Sequence, residues 1–380
     1  MKIENKKIKV GVLTMHRVVN YGSYLQAYAT QRVFESLGYE CELIDYIYPN
    51  KWHYKNGLIK SRNIKAIIVS LLSKFGFTCF NKMQNAIHKS AKKHYNLSSI
   101  TYKTPNQIKN NPPKYDIYVT GSDQTWNTHH TKGDSTFLLS FAPKGAIKIS
   151  FSASLASKGI DERYKSIFTK YLTQYNAVSI RDNNGNKIIK EILGKYAKIT
   201  LDPTLMLTGK EWVEFAGSDN NTKDEVKYIL LYMLSYAFEP RPYIYKLLED
   251  LQKKTGFVIY SLSELPKEYN LNYKLYTVIE PEMFIKLFSK ASYVVTSSFH
   301  GTAFAINFGI PLYSLIESFE SNDDRQKTLL TNLDLANCLV PLNKSFDEII
   351  PFYNNEKMNL KLNDLRMQTI DFLKSNIPVM

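Results

Sequence analysis

The chain has 380 residues, 44% of them hydrophobic and 22% charged, with a formal net charge of +14. It is too long for one ordinary core, so two domains are expected, and its composition excludes a disordered, fibrous or membrane-spanning chain. Three widely spaced cysteines, Cys41, Cys79 and Cys338, argue against a disulfide framework or a paired-cysteine zinc module and fit a reduced, cytoplasmic setting.

No long apolar core follows the charges of residues 2–7, so no signal peptide is expected. Residues 8–14 predict a strand. A turn holding His16, Arg17, Asn20 and Gly22 comes next, then a helical pattern over 24–37 closed by Gly38, and a second strand over 40–46. Strand, turn, helix and strand make a βαβ unit and predict a parallel sheet. The ligand edge of such a sheet lies at the carboxyl ends of its strands, where this turn falls.

Between Ile47 and Tyr115 there is no Asp or Glu, while thirteen lysines and arginines account for nearly all of the net charge of +14. Ile64, Ile67, Ile68, Leu71, Leu72 and Phe75 recur at helical spacing, with Lys60, Lys65 and Lys74 largely off that face. Two readings stand: a helical insertion packed on its own domain, and a basic helix on an anionic membrane surface, where each lysine contributes roughly 1 kcal/mol. No nucleic-acid-binding module is recognisable, so nucleic acid is not expected as a partner.

Residues 115–120 predict a strand that ends at Gly121-Ser122-Asp123-Gln124-Thr125-Trp126-Asn127. A carboxylate, two amides and a tryptophan at a strand's end suit recognition of hydroxyl groups; the structural alternative is an Asx turn with Trp126 as a core plug. Further strands are expected over 148–154, 177–182 and 198–201, with Asp161 capping a helix and a second helix over 184–193. Asp202-Pro203-Thr204 reads as a structural, domain-closing turn. The polar run 217–224 begins a fresh pattern, so the first domain is expected over 1–215, with the basic insertion at about 50–112, and a second over 216–360.

In that second domain, strands at 228–233 and 257–262 and helices at 243–254 and 281–290 lead to residues 294–311. There an apolar strand stops at Ser297-Ser298-Phe299-His300-Gly301 and a helix of small and aromatic residues begins. The first N–H groups of a helix lack partners and its dipole is positive there, so an anion is expected near His300. Residues 361–380 read as a last helix, apolar at Leu362, Leu365, Ile370, Phe372 and Leu373, that crosses back onto the first domain.

Four blocks in this order resemble the polysaccharide pyruvyl transferases. They are Asn20-Tyr21-Gly22-Ser23-Tyr24-Leu25-Gln26-Ala27-Tyr28; the 121–127 loop; Ser179-Ile180-Arg181-Asp182 with Asp202-Pro203-Thr204-Leu205; and Ser298-Phe299-His300-Gly301-Thr302-Ala303-Phe304. Many members carry an arginine two residues ahead of the motif histidine, where this chain has Ser298. The resemblance implies a glycosyltransferase-B-like fold, two Rossmann-like α/β domains facing across a cleft. It also implies transfer of a pyruvyl group from phosphoenolpyruvate, as co-substrate, to a sugar or lipid-linked oligosaccharide acceptor of surface-polysaccharide assembly, at the inner face of the cytoplasmic membrane.

On that reading His300 is the general acid, Asp123 the base or hydroxyl acceptor, and Arg181 a further catalytic group. Arg17, Ser298, Gly301, Thr302 and Arg325 hold the anionic donor, since arginine forks suit phosphate and carboxylate. Asn20, Tyr21, Gly22, Gln26, Ser122, Trp126 and Asn127 face the acceptor. No cofactor or metal is expected. The rival readings are a nucleotide-sugar-dependent glycosyltransferase on the same fold and a non-catalytic glycan-binding member.

Overall fold

Strands and helices alternate through the computed structural model, which describes residues 7–47, 78–217, 226–347 and 349–378. The helix expected over 64–75 lies outside these residues. The chain divides into two compact units, Met1–Met206 with Asp364–Met380, and Leu207–Asn363.

The first unit is built on β1 (Lys9–Leu13), β2 (Glu40–Leu43), β3 (Ile117–Thr120) and β4 (Ile147–Ser150), all parallel in the order β2-β1-β3-β4. Bridges from Ile149 to Ala177 and from Ala153 to Ile180 continue the sheet to the short strands β5 (Ser179–Ile180) and β6 (Lys198–Ile199). β1 and β3 are buried almost throughout, as strands covered by helices on both faces must be. The order reverses between β1 and β3. In open α/β sheets ligands bind outside the carboxyl ends of the strands at such a switch point.

Helix α1 (Tyr21–Ser36) starts on Asn20, whose extended backbone and side-chain oxygen cap the Ser23 N–H at 3.2 Å. Its exit is made by Gly38 at φ +95°. The basic segment ends in α2 (Cys79–His94), which turns Lys82, Lys89, Lys92 and Lys93 outward and buries Ile87 and Ser90. Beyond its end, Tyr95 stacks on Tyr24 of α1 with ring centroids 4.8 Å apart, and Asn96 takes the Gln31 and Cys41 side-chain and backbone partners. This described part of the insertion therefore packs on its own unit. Two more helices, α3 (Glu162–Leu172) and α4 (Asn183–Leu193), follow, capped by Asp161 and Asp182.

The second unit opens with α5 (Gly209–Ala216), ahead of the polar run at which the sequence pattern changes. A reciprocal Thr208–Glu211 capping box starts it, and Trp212 sets its ring edge-on to Phe304 at 5.1 Å. Its six parallel strands are β7 (Tyr228–Tyr232), β8 (Val258–Ser261), β9 (Tyr273–Leu275), β10 (Tyr293–Thr296), β11 (Leu312–Ile316) and β12 (Leu339–Pro341), in the order β12-β11-β10-β7-β8-β9. That is the Rossmann order, with its switch point between β7 and β10. Helices α6 (Tyr243–Thr255), α7 (Pro281–Ser289), α8 (Phe299–Phe308) and α9 (Arg325–Asn332) complete this unit.

The last helix, α10 (Asn355–Asn376), begins earlier than its apolar spacing suggests, and its residues from Asp364 onward belong to the first unit. Thr369 there accepts the Leu201 N–H at 3.1 Å, and Arg366 donates to the Leu205 carbonyl at 2.6 Å.

Candidate functional site

In the first unit the switch-point turns hold a buried polar cluster. Ser122 and Asp123 leave β3, Arg181 leaves β5, Asp202 follows β6, and Ser23 lies in the first turn of α1. Arg181 donates through Nη2 to Asp123 Oδ1 at 3.3 Å and through Nη1 to Asp202 Oδ2 and to Ser122 Oγ, the last at 3.3 Å. Ser23 Oγ donates to Asp123 Oδ2 at 2.5 Å, and the Gln124 N–H reaches Asp123 Oδ1 at 2.9 Å. Asp202 Oδ1 takes the N–H and hydroxyl of Thr204 at 3.0 and 2.6 Å. The guanidinium thus lies between two carboxylates, and all three side chains are nearly or fully buried.

Three expected site residues, Ser122, Asp123 and Arg181, thus meet, but the arginine is not an open anion fork. Both of its terminal nitrogens are engaged by carboxylates. Asp182 Oδ1, next in sequence, caps α4 through the Gly185 N–H at 2.8 Å. Asp202, read from sequence as a structural turn, proves to be the second anchor of Arg181. Nothing local signals this, since the two are 21 residues apart and Arg181 is 58 from Asp123.

The acceptor residues expected around this loop are mostly placed in structural roles. Trp126 is fully buried and donates Nε1–H to the Phe137 carbonyl at 3.1 Å, so it is the core plug. Asn127 caps the turn at His129 and binds Gln124 Oε1 through Nδ2. Asn20 is the α1 cap, while Tyr21 and Gly22 are buried in its first turn. Gln26 is also buried, donating to Thr14 Oγ1 at 2.8 Å, and Thr14 in turn binds the Ser122 carbonyl at 2.9 Å. A tight approach of the β1 and β3 exits supports this link. A Cβ on Gly121 would lie 2.9 Å from Thr14 Cβ.

Arg17 belongs to a different group. It pairs with Asp45 through Nε at 2.6 Å and through Nη2, and Asp45 also takes His16 Nε2 at 3.1 Å and the Thr101 hydroxyl at 2.6 Å. Burial pushes the Asp45 carboxyl up, but hydrogen bonds from His16 and Arg17 outweigh it and hold the group well below the usual carboxylate range.

In the second unit the β10–α8 junction lies at the switch point. Ser297 Oγ donates to the Leu234 carbonyl at 2.7 Å and accepts the Leu234 N–H at 2.8 Å, which ties the turn after β10 to the one after β7. Ser298 caps α8, taking the Gly301 N–H at 3.4 Å. Its oxygen is thus committed to the helix. Thr302 donates to the Ser298 carbonyl at 3.1 Å and shares a hydrogen bond with Ser314, to which Gln326 of α9 donates at 2.7 Å.

Gly301 is required by space: a Cβ would stand 2.3 Å from Thr296 Oγ1. His300, 5% exposed, sits in the first turn with its ring edge-on to Phe299 at 5.3 Å. Arg325 lies over Phe299 at 5.6 Å and forks onto Asp323 at 2.8 Å and 2.5 Å. Burial lowers the Arg325 pKa, but the charge and hydrogen bond of Asp323 more than offset that and raise it. Ser298, His300, Gly301, Thr302 and Arg325 therefore gather at one junction. Among the described residues no group of three His, Cys, Asp or Glu could hold a metal, and no helix is long and apolar enough to cross a membrane.

Among solved structures, a putative UDP-N-acetylglucosamine 2-epimerase from Listeria monocytogenes aligns at 12% identity and TM-score 0.48, covering 98% of this chain and 92% of that one. The UDP-GlcNAc 2-epimerase from Neisseria meningitidis bound to UDP-GlcNAc aligns at 12% and 0.48, covering 97% and 100%. The glycotransferase of kitacinnamycin aligns at 10% and 0.46, covering 98% and 100%. No curated protein sequence matches the chain. The profile of the polysaccharide pyruvyl transferases matches residues 20–318, most of the chain and all four motif blocks, and the protein belongs to that family.

Proposed function

We propose that the protein transfers the pyruvyl group of phosphoenolpyruvate to two hydroxyls of one sugar in a surface-polysaccharide precursor, forming a cyclic ketal and releasing phosphate. The observation that carries this reading is the family match over residues 20–318. The chemistry needs a proton at the methylene carbon, bonds from two sugar oxygens to C2 with loss of their protons, and departure of phosphate with the C–O electron pair.

His300 is the proton donor in this scheme, since an imidazole titrates near neutrality. The α8 N-terminus around it suits the anionic donor through its dipole and N–H groups. Asp123, aimed by Ser23 and Arg181, takes the acceptor hydroxyl. The acceptor is lipid-linked and met at the inner face of the cytoplasmic membrane, a role for which the acid-free basic stretch between Ile47 and Tyr115 is suited.

The test is phosphate release from phosphoenolpyruvate with and without candidate glycan acceptors. Acceptor-dependent release is expected, and His300→Ala should reduce it on the order of 10²–10⁴-fold while leaving the fold intact. Thermal stabilisation by a nucleotide sugar but not by phosphoenolpyruvate would instead support a glycosyltransferase.

A further inference from the structure

Asp123 has φ +73°, in the left-handed region that side chains other than glycine rarely enter. In the loop after the neighbouring β4, Ser152 does the same at φ +55°, and its carbonyl accepts the Ser122 hydroxyl at 2.9 Å. Asp123 is bridged to Ala153, so the two strained positions lie side by side at the carboxyl edge of the sheet. Backbone strain of this kind persists only where the surroundings over-determine it, and it clusters at functional sites.

The surroundings here fix one carboxylate. Oδ1 of Asp123 is held by the Gln124 N–H and Arg181, and Oδ2 by Ser23. Asp202 sets the other end of the Arg181 guanidinium. Side-chain exposure is 1% for Arg181, 7% for Asp123 and 0% for Asp202. A buried ion cluster is seldom more stable than apolar packing of the same volume, so stability alone does not account for this one.

We infer that Ser23 and Asp202 are positioning residues for the Asp123 carboxylate. Ser23 acts on it directly, and Asp202 acts through Arg181. The inference rests on the reading of Asp123 as the group that meets the sugar hydroxyl.

Steady-state kinetics of D202N, S23A and the conservative S23T, with phosphoenolpyruvate and acceptor varied in turn, test it. The expected result is a kcat loss on the order of 10–100-fold for D202N and S23A, the size of a hydrogen bond to a charged group. The KM for phosphoenolpyruvate should stay unchanged, and S23T should recover most of the rate. Wild-type kcat in D202N or S23A, or an effect confined to that KM, would overturn the inference. Melting temperatures of D202N, S23A and the double variant are read on the same samples. A double loss smaller than the sum is expected, because both residues act through Asp123; additive losses would overturn the coupling. This second measurement needs no turnover, so it judges the network even if phosphoenolpyruvate proves not to be the donor.

Discussion

Replacing Arg181 by methionine keeps a flexible, unbranched apolar stem and removes the guanidinium and its charge. The guanidinium is a counter-ion of both Asp123 and Asp202, and all three side chains are nearly or fully buried. Removing one partner of a buried ion cluster strands the others in low dielectric, at a cost of about 3–5 kcal/mol. For units of roughly this size each kcal/mol lowers Tm by about 2–4 °C, so R181M should lose about 6–20 °C. Adding D202N to R181M removes one stranded carboxylate and should raise Tm again. Scanning calorimetry suits the measurement, because a chain of two units need not unfold in one step. An R181M protein melting within about 2 °C of wild type would refute the counter-ion assignment. So would a D202N/R181M protein less stable than R181M.

Other consequences follow from single contacts. Gly301→Ala drives a Cβ against Thr296 Oγ1 at 2.3 Å, and overpacking of this order costs about 1–3 kcal/mol. Its Tm loss should shrink in a T296A background, and an unchanged loss would contradict the close approach. The Asp45 carboxyl has a depressed pKa in the folded state, so its stabilisation is present above the ordinary value near 4 and is lost as pH falls below it. D45N should therefore flatten the acid limb of the stability curve below about pH 4; an unchanged limb would refute the pairing with His16 and Arg17. Burial raises the thiol pKa of Cys41 and pushes that of Cys338 up to about 12, while Cys79 is exposed. Thiol titration of the native protein should find one reactive cysteine, abolished by C79S, and a second reactive thiol would show that Cys41 or Cys338 is accessible.

The strand–turn–helix units were legible because their signals are local. The run before Asn20, the cap at Asn20 and the exit at Gly38 fall within one βα segment, and the same holds for Thr296, Ser298 and Gly309 around α8. Other local signals fit two roles at once. Asn20 and Asn127 carry amides at strand ends, which suits a ligand site as well as a helix cap, and the structure uses both as caps. Trp126 offered the same two readings, and the decision lay with the Phe137 carbonyl, supplied by another turn.

By itself the sequence determined the α/β class, the parallel sheets, the family and the two junctions, near Asp123 and near His300, where strands end in polar turns. The class, the sheets and the junctions follow from periodicity and turn chemistry within a few residues, and the family from the resemblance of four motif blocks. Only the tertiary structure decided the partners of the charged groups. Arg17 went to Asp45, and Arg181 to Asp123 and Asp202. A charge buried by strand order takes the counter-ion that the neighbouring strand ends bring to it, and strand order is set by the sheet as a whole. The cluster around Asp123 is such a product: β3, β5, β6 and α1 each deliver a residue to one point, and no stretch of sequence contains it.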